Sequence, residues 1–272
     1  MNDITVISGK TMKGQKLKEL WKYREVFYYL AWKDIVVRYK QTVLGVFWAI
    51  IQPLLSMLIM TFIFGNVAKL PSNGVPYPIL VYSAMIPWYL FSSGFANTAN
   101  SLIGNSNLLT KVYFPRLALP TSAVVTSFID AIVSLAILLV MMIGYRYMPP
   151  IRFLLMPIFF IMAFCITLGA GLFVATMNVK YRDIKYIVPF IVQFGMYISP
   201  VGYSSNVIPE KFKLLYSLNP LVGVIDGFRW CFIPYAELYL PSIFISAIVS
   251  VILLFLGVRF FNKFEQSFAD II

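Results

Sequence analysis

KDIVVRYKQTVLGVFWAIIQPLLS, residues 33–56, marks the point where a polar chain becomes an apolar one. Its first third is charged and amphipathic, whereas no charged residue occurs in the 28 residues from Gln41 to Ala68. About 20 apolar residues are enough to cross the hydrocarbon of a bilayer. The stretch therefore predicts a basic helix at a membrane surface that continues into a first membrane span, and so an integral membrane protein of the all-α class.

The composition of the whole chain agrees with a membrane protein. Of its 272 residues 60% are hydrophobic and 12% are charged, and the mean hydropathy is +0.81. Soluble domains carry about 25% charged residues. The net charge of +11 is explained by basic residues that collect in cytoplasmic loops, where they also meet anionic lipid. The composition therefore argues against nucleic acid as a partner.

The residues that most chemistry needs are missing or scattered. Histidine is absent, no G-x-x-x-x-G-K-[ST] phosphate loop occurs, and the carboxylates stand singly. Cys165 and Cys231 have no metal-ligand spacing and imply no disulfide framework. The first 40 residues lack the apolar core of a cleavable signal peptide. We therefore predict no catalytic residue, no metal site and no cofactor on this chain, and no enzyme activity.

Charged residues divide the rest of the chain into six apolar segments. Residues 1–40 are predicted to be a cytoplasmic tail and an interface helix, and residues 41–272 a six-span transmembrane domain. The spans are expected at about 43–66, 77–98, 118–144, 153–177, 186–203 and 239–259. With this topology the cytoplasmic segments hold 16 Lys and Arg residues and the outer segments hold 6. The positive-inside rule therefore places both termini in the cytoplasm.

Residues 17–40 show the 3.6-residue periodicity of a helix. Aromatic and apolar side chains share one face, and basic residues, including Arg38, fill most of the remainder. The members of the aromatic face are Trp21, Tyr28, Trp32, Ile35 and Tyr39. Such a pattern is typical of a helix that lies in the headgroup layer. The periodicity does not decide whether the outer face of this helix also docks a partner protein.

The loop between spans two and three is predicted to contain one short helix. The polar residues 99–110 are expected to form a loop, and Asn107 is expected to cap a helix over Leu108–Tyr113 that Pro115 stops. A capped helix in a cytoplasmic loop forms a rigid knob that can transmit force from a soluble partner. The alternative is a short turn helix that lies on the bilayer.

The segment after span five, residues 203–237, is too long for a turn and too apolar for a solvated loop. Asn219 followed by Pro220 predicts a helix start, and Pro234 predicts its end. Asp226 and Arg229 are spaced to pair on this helix. Apolar pieces of this length favour re-entrant or interfacial helices. They either cover a pathway as an external gate or form a packing hairpin.

Four ordered motifs carry a resemblance to a known family. RYKQTVLGVFWAIIQPL at 38–54, NLLTKVYFPRLALP at 107–120, VKYRDIKYIVPFI at 179–191 and LNPLVGVIDGFR at 218–229 resemble the permease subunit of type-2 ABC exporters. The most similar branch exports polysaccharide: O-antigen, capsule or wall teichoic acid. The resemblance covers nearly the whole chain, in order.

The resemblance implies a homodimer with two separate ABC ATPase subunits on the cytoplasmic side, which would bind the ATP and Mg²⁺. It also implies an interface helix at 17–40, a coupling helix at 107–114 and external gate helices at 207–233. The expected coupling residues are Asn107, Leu108, Leu109, Lys111, Tyr113, Phe114 and Arg116, and the expected gate residues are Asn219, Pro220, Asp226 and Arg229.

Aromatic residues in two spans are candidates for a sugar pathway. In span five they recur on one helical face at Tyr186, Phe190, Phe194 and Tyr197, and in span two they are Tyr82, Trp88 and Tyr89. Sugar faces stack on aromatic rings, and a slippery pathway needs many weak contacts rather than one tight site. The alternative is ordinary helix packing and interfacial belts.

The sequence thus predicts a channel-forming permease in the bacterial inner membrane that moves a lipid-linked polysaccharide outward. One alternative is an exporter of a smaller lipid, drug or haem-like cargo. Another is an ion-coupled secondary transporter that uses Asp130, because a carboxylate within a span is a functional candidate by default. Against the second stand the cytoplasmic knob and the lack of evident inverted repeats.

Overall fold

The computed structural model describes residues 23–40, 45–72, 74–111, 114–181, 183–265 and 268. It is 83% helical, and these residues contain no strand. The helices are α1 Arg24–Lys40, α2 Gly45–Met60, α3 Tyr77–Gly104, α4 Ser106–Lys111, α5 Ala118–Gly144, α6 Met156–Lys180, α7 Ile184–Ile198, α8 Glu210–Tyr216, α9 Pro220–Phe232 and α10 Leu240–Phe264. A π-helical segment, Thr61–Val67, extends α2, and 3-10 turns at Ile151–Leu155 and Ser205–Val207 precede α6 and α8. The predicted all-α membrane class is confirmed.

In the described part of the chain, five helical segments are long and apolar enough to cross a membrane. They are Ile50–Val67, Tyr77–Gly104, Ala118–Gly144, Ile151–Lys180 and Leu240–Phe264, and they correspond to predicted spans one to four and six. The predicted fifth span corresponds to α7, which has 15 residues. Its length is about 22 Å against a hydrocarbon thickness of about 30 Å. The count of six crossings therefore stays a prediction.

The C-terminal end of α3 differs from the sequence prediction. A loop is expected from Ala99 onward, but the helix continues to Gly104. Its polar side chains bond to carbonyl oxygens of the same helix: Asn100 donates to Ala96 at 2.9 Å and Ser101 to Thr98 at 2.8 Å. Side chains that bond back to the preceding turn are compatible with a helix. The loop prediction is therefore wrong for residues 99–104.

Helix α3 lies at the centre of the bundle. It contacts α2, α5, α6, α7 and α9, and the main apolar core forms around it. A second apolar cluster contains Leu109 of α4 together with residues of α1, α3, α5, α6 and α10. We call this second group the α4 cluster. Its buried members are Leu30, Leu102, Leu109, Phe114, Ala118, Leu119, Val124, Leu168, Leu172, Ala175, Val179, Phe261 and Phe268.

Helices α6 and α10 approach backbone to backbone. A Cβ atom at Gly257 would lie 2.3 Å from the Gly169 carbonyl oxygen, and one at Gly169 would lie 2.5 Å from the Leu253 carbonyl carbon. Side chains at these positions would push the helices apart. Small residues at such crossings are a common device of helix packing in membranes, and here they hold α6 and α10 together.

Helix α1 packs along α5. Leu30 and Ala31 are buried, whereas Tyr28 and Trp32 are exposed and stack on each other with ring centroids 6.2 Å apart. The Tyr39 hydroxyl donates a hydrogen bond to the Asp130 carboxylate of α5. Helix α1 therefore has a protein-facing side beyond the headgroup contacts that the sequence predicts. Trp21 and the Arg38 side chain lie outside the described residues.

Candidate functional site

The candidate gate helix α9 begins and ends where the sequence predicts. The Asn219 side-chain oxygen accepts from the Leu221 backbone N–H at 3.1 Å, and Pro220 occupies the first turn, where its missing N–H costs nothing. The Asn219 amide also donates to the Ser199 hydroxyl at 3.0 Å. The cap thus fixes α9 to the end of α7 as well as starting the helix.

Arg229 binds several backbone carbonyls from inside the protein, where it is 3% exposed. Its guanidinium donates to the carbonyl oxygens of Leu80 at 3.3 Å, Tyr203 at 3.1 Å, Pro200 at 2.8 Å and Val201 at 3.5 Å. A guanidinium presents five N–H donors in a fixed fork, which suits several acceptors at once. Arg229 therefore joins α9 to α3 and to the segment that follows α7.

The predicted pairing of Asp226 with Arg229 is present, with Oδ1 and Nη1 3.5 Å apart. The other carboxylate oxygen accepts from the Ser205 hydroxyl. Both charges are buried, and a buried pair is stable only when its remaining hydrogen-bonding groups are satisfied. The carbonyls and Ser205 meet that condition. These acceptors and Ser205 are distant from Arg229 and Asp226 in the sequence, so sequence reasoning missed them.

The segment after α7 is non-helical at residues 199–204, and residues 199–202 are buried. Irregular backbone inside a membrane protein needs protein partners. Arg229 supplies several, and the Tyr77 hydroxyl supplies another by donating to Gly202 at 2.8 Å. The Tyr203 hydroxyl donates to the Tyr197 carbonyl at 3.1 Å. The segment is thereby held against α3, α7 and α9.

Two groups of the short helix α8 have shifted pKa values. Burial raises the pKa of the Tyr216 phenol, and the hydrogen bond to Tyr203, with the oxygens 3.0 Å apart, acts in the same direction. The hydrogen bond to Glu210, at 2.6 Å, raises the pKa of the half-buried Lys213 ammonium. Tyr216 thus stays protonated and able to donate, and Lys213 stays charged, at any physiological pH.

Arg152 binds the C-terminal end of α9, and sequence reasoning missed this contact. It donates to the carbonyl oxygens of Ile233, at 3.0 Å, and of Pro234. Its guanidinium also lies 4.5 Å from the ring centroid of Trp230. A cation at the carbonyl end of a helix satisfies free acceptors and complements the helix dipole. Arg152 therefore fixes α9 to the turn before α6.

The aromatic residues of α7 form the predicted stripe on the surface of the subunit. Tyr186, Phe190, Phe194 and Tyr197 are 49–70% exposed, and the rings of Phe190 and Phe194 are 4.2 Å apart. Gln193 beside them is also exposed. The stripe is therefore free to meet lipid, cargo or a second subunit.

The aromatic residues of α3 differ from those of α7. Tyr82 is 0% and Trp88 is 2% exposed, and Tyr89 is half-buried. Trp88 packs against Phe91 with ring centroids 5.7 Å apart. Helix α3 contacts several other helices, and the pathway role of these three residues stays a prediction. They pack the core of the subunit.

The candidate coupling helix α4 begins at Ser106, so Asn107 lies inside its first turn instead of capping it. Leu109 and Phe114 are buried in the α4 cluster, with Leu108 packed against it, and Lys111 is exposed. The Arg116 guanidinium donates to the Glu265 carbonyl oxygen at the end of α10. Tyr113 lies outside the described residues. The structure thus gives α4 a buried inner face and an exposed cation on its surface.

The Asp130 side chain is hydrogen-bonded to helix α1. Besides accepting from Tyr39, it receives at its backbone carbonyl the Ser134 hydroxyl of its own helix at 3.0 Å. Ser127, on the same side of α5, contacts Ser93 and Asn97 of α3, each at 3.3 Å. The polar residues of α5 therefore join helices to one another. Within the described residues, no three His, Cys, Asp or Glu side chains lie close enough to hold a metal ion.

Comparison with known proteins assigns the chain to a family. The sequence pattern of the ABC-2 type transporter family matches residues 25–233, which run from α1 to the end of α9. The chain is a member of the ABC-2 type transporter family. The matched region of this ABC-2 chain contains α4, the aromatic stripe and α9, whereas α10 lies beyond it.

Individual ABC-2 relatives align over most of their length. An O-antigen export system permease protein RfbA from Myxococcus xanthus is 29% identical over 93% of this chain and 98% of its own. A protein of the same name from Klebsiella pneumoniae is 31% identical over 88% of this chain and 92% of its own. The polysialic acid transport protein KpsM of Escherichia coli is 22% identical over 86% and 92%.

Proposed function

We propose that this chain is the permease subunit of an ABC exporter that moves a lipid-linked polysaccharide across the bacterial cytoplasmic membrane. The observation that carries the proposal is the alignment, over 93% of the chain, with a permease named for O-antigen export. KpsM, a transport protein for another polysaccharide, aligns less closely over a similar share. The common cargo chemistry of these relatives is a long sugar polymer.

The working unit in this proposal is a homodimer with two ABC ATPase subunits, which bind ATP and Mg²⁺. The permease itself supplies no catalytic residue. The ATPases would press on α4, whose inner face rests on the α4 cluster and whose Lys111 is exposed. Both chain termini would lie on the ATPase side, in the cytoplasm, as the distribution of basic residues suggests.

The stripe of α7 is the proposed surface for the sugar. Tyr186 and Tyr197 are 11 residues apart, which is about 16 Å along a helix. Rings and hydroxyls spaced along that length offer many weak contacts, which is what a passing polymer requires. Because the stripe lies on the outside of one subunit, a second copy would have to complete the pathway.

Replacing stripe residues tests the pathway. Phe194→Ala and Tyr197→Ala should slow polymer export, because each removes a stacking surface. Leucine at either position should restore the amount of protein but only part of the transport rate. Phe255→Ala is the matched control, since Phe255 is 60% exposed on α10, away from the stripe. Export at the parental rate by both alanine variants, at normal protein levels, would remove the stripe from the pathway.

Deleting the gene tests the cargo. A lipid-linked surface polysaccharide should then accumulate inside the cell and disappear from the surface, and a plasmid copy should reverse both changes. The measurement is immunoblotting or sugar analysis of spheroplast and surface fractions. Normal surface polysaccharide together with the loss of a small lipid or drug from the medium would point to a smaller cargo.

A further inference from the structure

The short helix α4 depends on its surroundings for its position. Six residues are too few for a stable helix in isolation, so its place is set by the side chains beneath it. Leu109 is buried there together with Leu30 of α1 and with Phe261 and Phe268. Two of these four residues come from the C-terminal end of the chain.

The C-terminal end of α10 belongs to the same apolar cluster as Leu109 of α4, and it accepts a hydrogen bond from a residue that follows α4. Phe268 is 1% exposed, and its ring meets that of Phe261 edge to face with centroids 5.3 Å apart. The Arg116 guanidinium, just beyond α4, donates to the Glu265 carbonyl oxygen. Free carbonyls at a helix end are natural acceptors for such a cation. The end of α10 and Phe268 therefore share the apolar cluster in which Leu109 of α4 is buried.

The beginning of α10 is packed against α9. A Cβ atom at Gly223 would lie 2.4 Å from the Ser242 carbonyl oxygen and 2.4 Å from the Ser246 hydroxyl. Such an approach leaves no room for the two helices to slide independently. Helix α9, which contacts the beginning of α10, also carries Asp226 and Arg229.

Between these two ends α10 is one uninterrupted helix. Its single proline, Pro241, lies in the first turn, whereas α2, α3 and α7 contain internal prolines at Pro53, Pro87 and Pro189. Proline inside a helix removes a hydrogen bond and bends it. From Ser242 to Glu265 the helix is about 35 Å long, and it is braced along its side by α6 at Gly257.

From these observations we infer that the C-terminal end of α10 and Phe268, four residues beyond it, are part of the coupling site, with Phe268 as the positioning residue, and that α10 carries the movement of α4 to the gate helix α9. The inference rests on the proposed function only in requiring an ATPase that acts on α4. It assigns Phe268 no contact with the cargo.

The native thiol Cys231 is a reporter for the gate end. It lies on α9 and is fully buried, so a maleimide should react with it only when α9 moves. In a Cys165→Ala background, the measurement is the rate of maleimide labelling in membranes that contain the permease with its ATPase, with and without ATP. ATP should change the parental rate about fivefold or more, as is usual for coupled sites.

Phe268→Ala should reduce this ATP effect to less than about twofold, with the ATPase still bound. Phe255→Ala, a change of the same size on an exposed face of α10, should leave the ATP effect intact. Phe268→Leu keeps much of the buried volume but loses the edge-to-face ring contact with Phe261, so it should restore the amount of inserted protein but only part of the ATP effect. The leucine variant also keeps the test decisive if the alanine variant is poorly inserted.

Two results would overturn the inference. One is a parental labelling rate that does not respond to ATP. The other is a Phe268→Ala or Phe268→Leu protein that shows the full ATP effect per molecule, whatever its amount in the membrane, because Phe268 would then serve stability alone. Neither result depends on the cargo, so a failure here leaves the polysaccharide proposal to the gene deletion.

Discussion

Replacement of Arg229 should destabilise the permease more than any other single change of a charged residue at this end of the molecule. Alanine at this position removes the donor to the carbonyls of Leu80, Pro200 and Tyr203. It also leaves Asp226 as a buried carboxylate without its cation. Breaking a buried ion pair by removing one partner costs about 3–5 kcal/mol, and the lost carbonyl bonds add to that cost.

Other variants of the Asp226–Arg229 pair should lose less stability than Arg229→Ala. Arg229→Lys keeps the charge but places a single nitrogen where the guanidinium fork spans acceptors on two elements, so we expect an intermediate loss. Asp226→Asn keeps an acceptor for Ser205 and leaves the guanidinium among its carbonyls. It should cost about 1–2 kcal/mol, the scale of one charged hydrogen bond.

Thermal unfolding in detergent measures these losses. About 1 kcal/mol lowers Tm by roughly 2–4 °C in chains of 150–250 residues, so Arg229→Ala should lower it by roughly 6–20 °C. Arg146→Ala is the matched control, because Arg146 is exposed in the turn after α5. An Arg229→Ala protein that melts within about 2 °C of the parent would refute the reasoning, as would a lower Tm for Asp226→Asn than for Arg229→Ala.

Three further predictions concern topology, the interface helix and coupling. In a cysteine-free background in cells with a permeable outer barrier, an impermeant thiol reagent should label Asn206→Cys but not Ser106→Cys, and the opposite pattern would reverse the orientation. Asp130→Asn keeps an acceptor for the Tyr39 hydroxyl and should leave export within about twofold; loss of export at normal protein level would favour an ion-coupled transporter. Leu109→Pro should abolish export and cargo-linked ATP hydrolysis, because proline costs about 3 kcal/mol or more inside a helix, and normal export would remove α4 from the mechanism.

Features that depend on a few neighbouring residues were predictable from the sequence. Asn219 and Pro220 start α9 and Pro234 follows its end, because capping and the missing proline N–H act within one turn. The same local reasoning placed the stripe of α7 on one face through the 3.6-residue period. It failed at Asn107, because the helix starts at Ser106, two residues before the predicted start at Leu108. Local preferences are too weak to fix a helix boundary to within one or two residues.

Features that depend on which helices lie side by side were not predictable. Span two and span five are similarly apolar and aromatic in sequence, yet Tyr82 is buried and Tyr186 is exposed, because α3 is at the centre of the bundle and α7 is at its edge. The acceptors of Arg229 lie up to 149 residues away in the chain. The contact of Arg116 with Glu265 spans the same separation in the sequence. The helical spacing of apolar residues carries no information about such distant pairs.

Transport in a purified system tests the central proposal most directly. The permease and its ATPase would be placed in liposomes whose outer leaflet contains the lipid-linked polysaccharide recovered from the deletion strain, with the ATPase facing outward. ATP should make the polymer resistant to periodate added outside, because the sugar moves into the lumen, and a hydrolysis-deficient ATPase should prevent this. Polymer that stays fully sensitive to periodate in the presence of ATP, or that becomes protected by an ion gradient without ATP, would contradict the proposal.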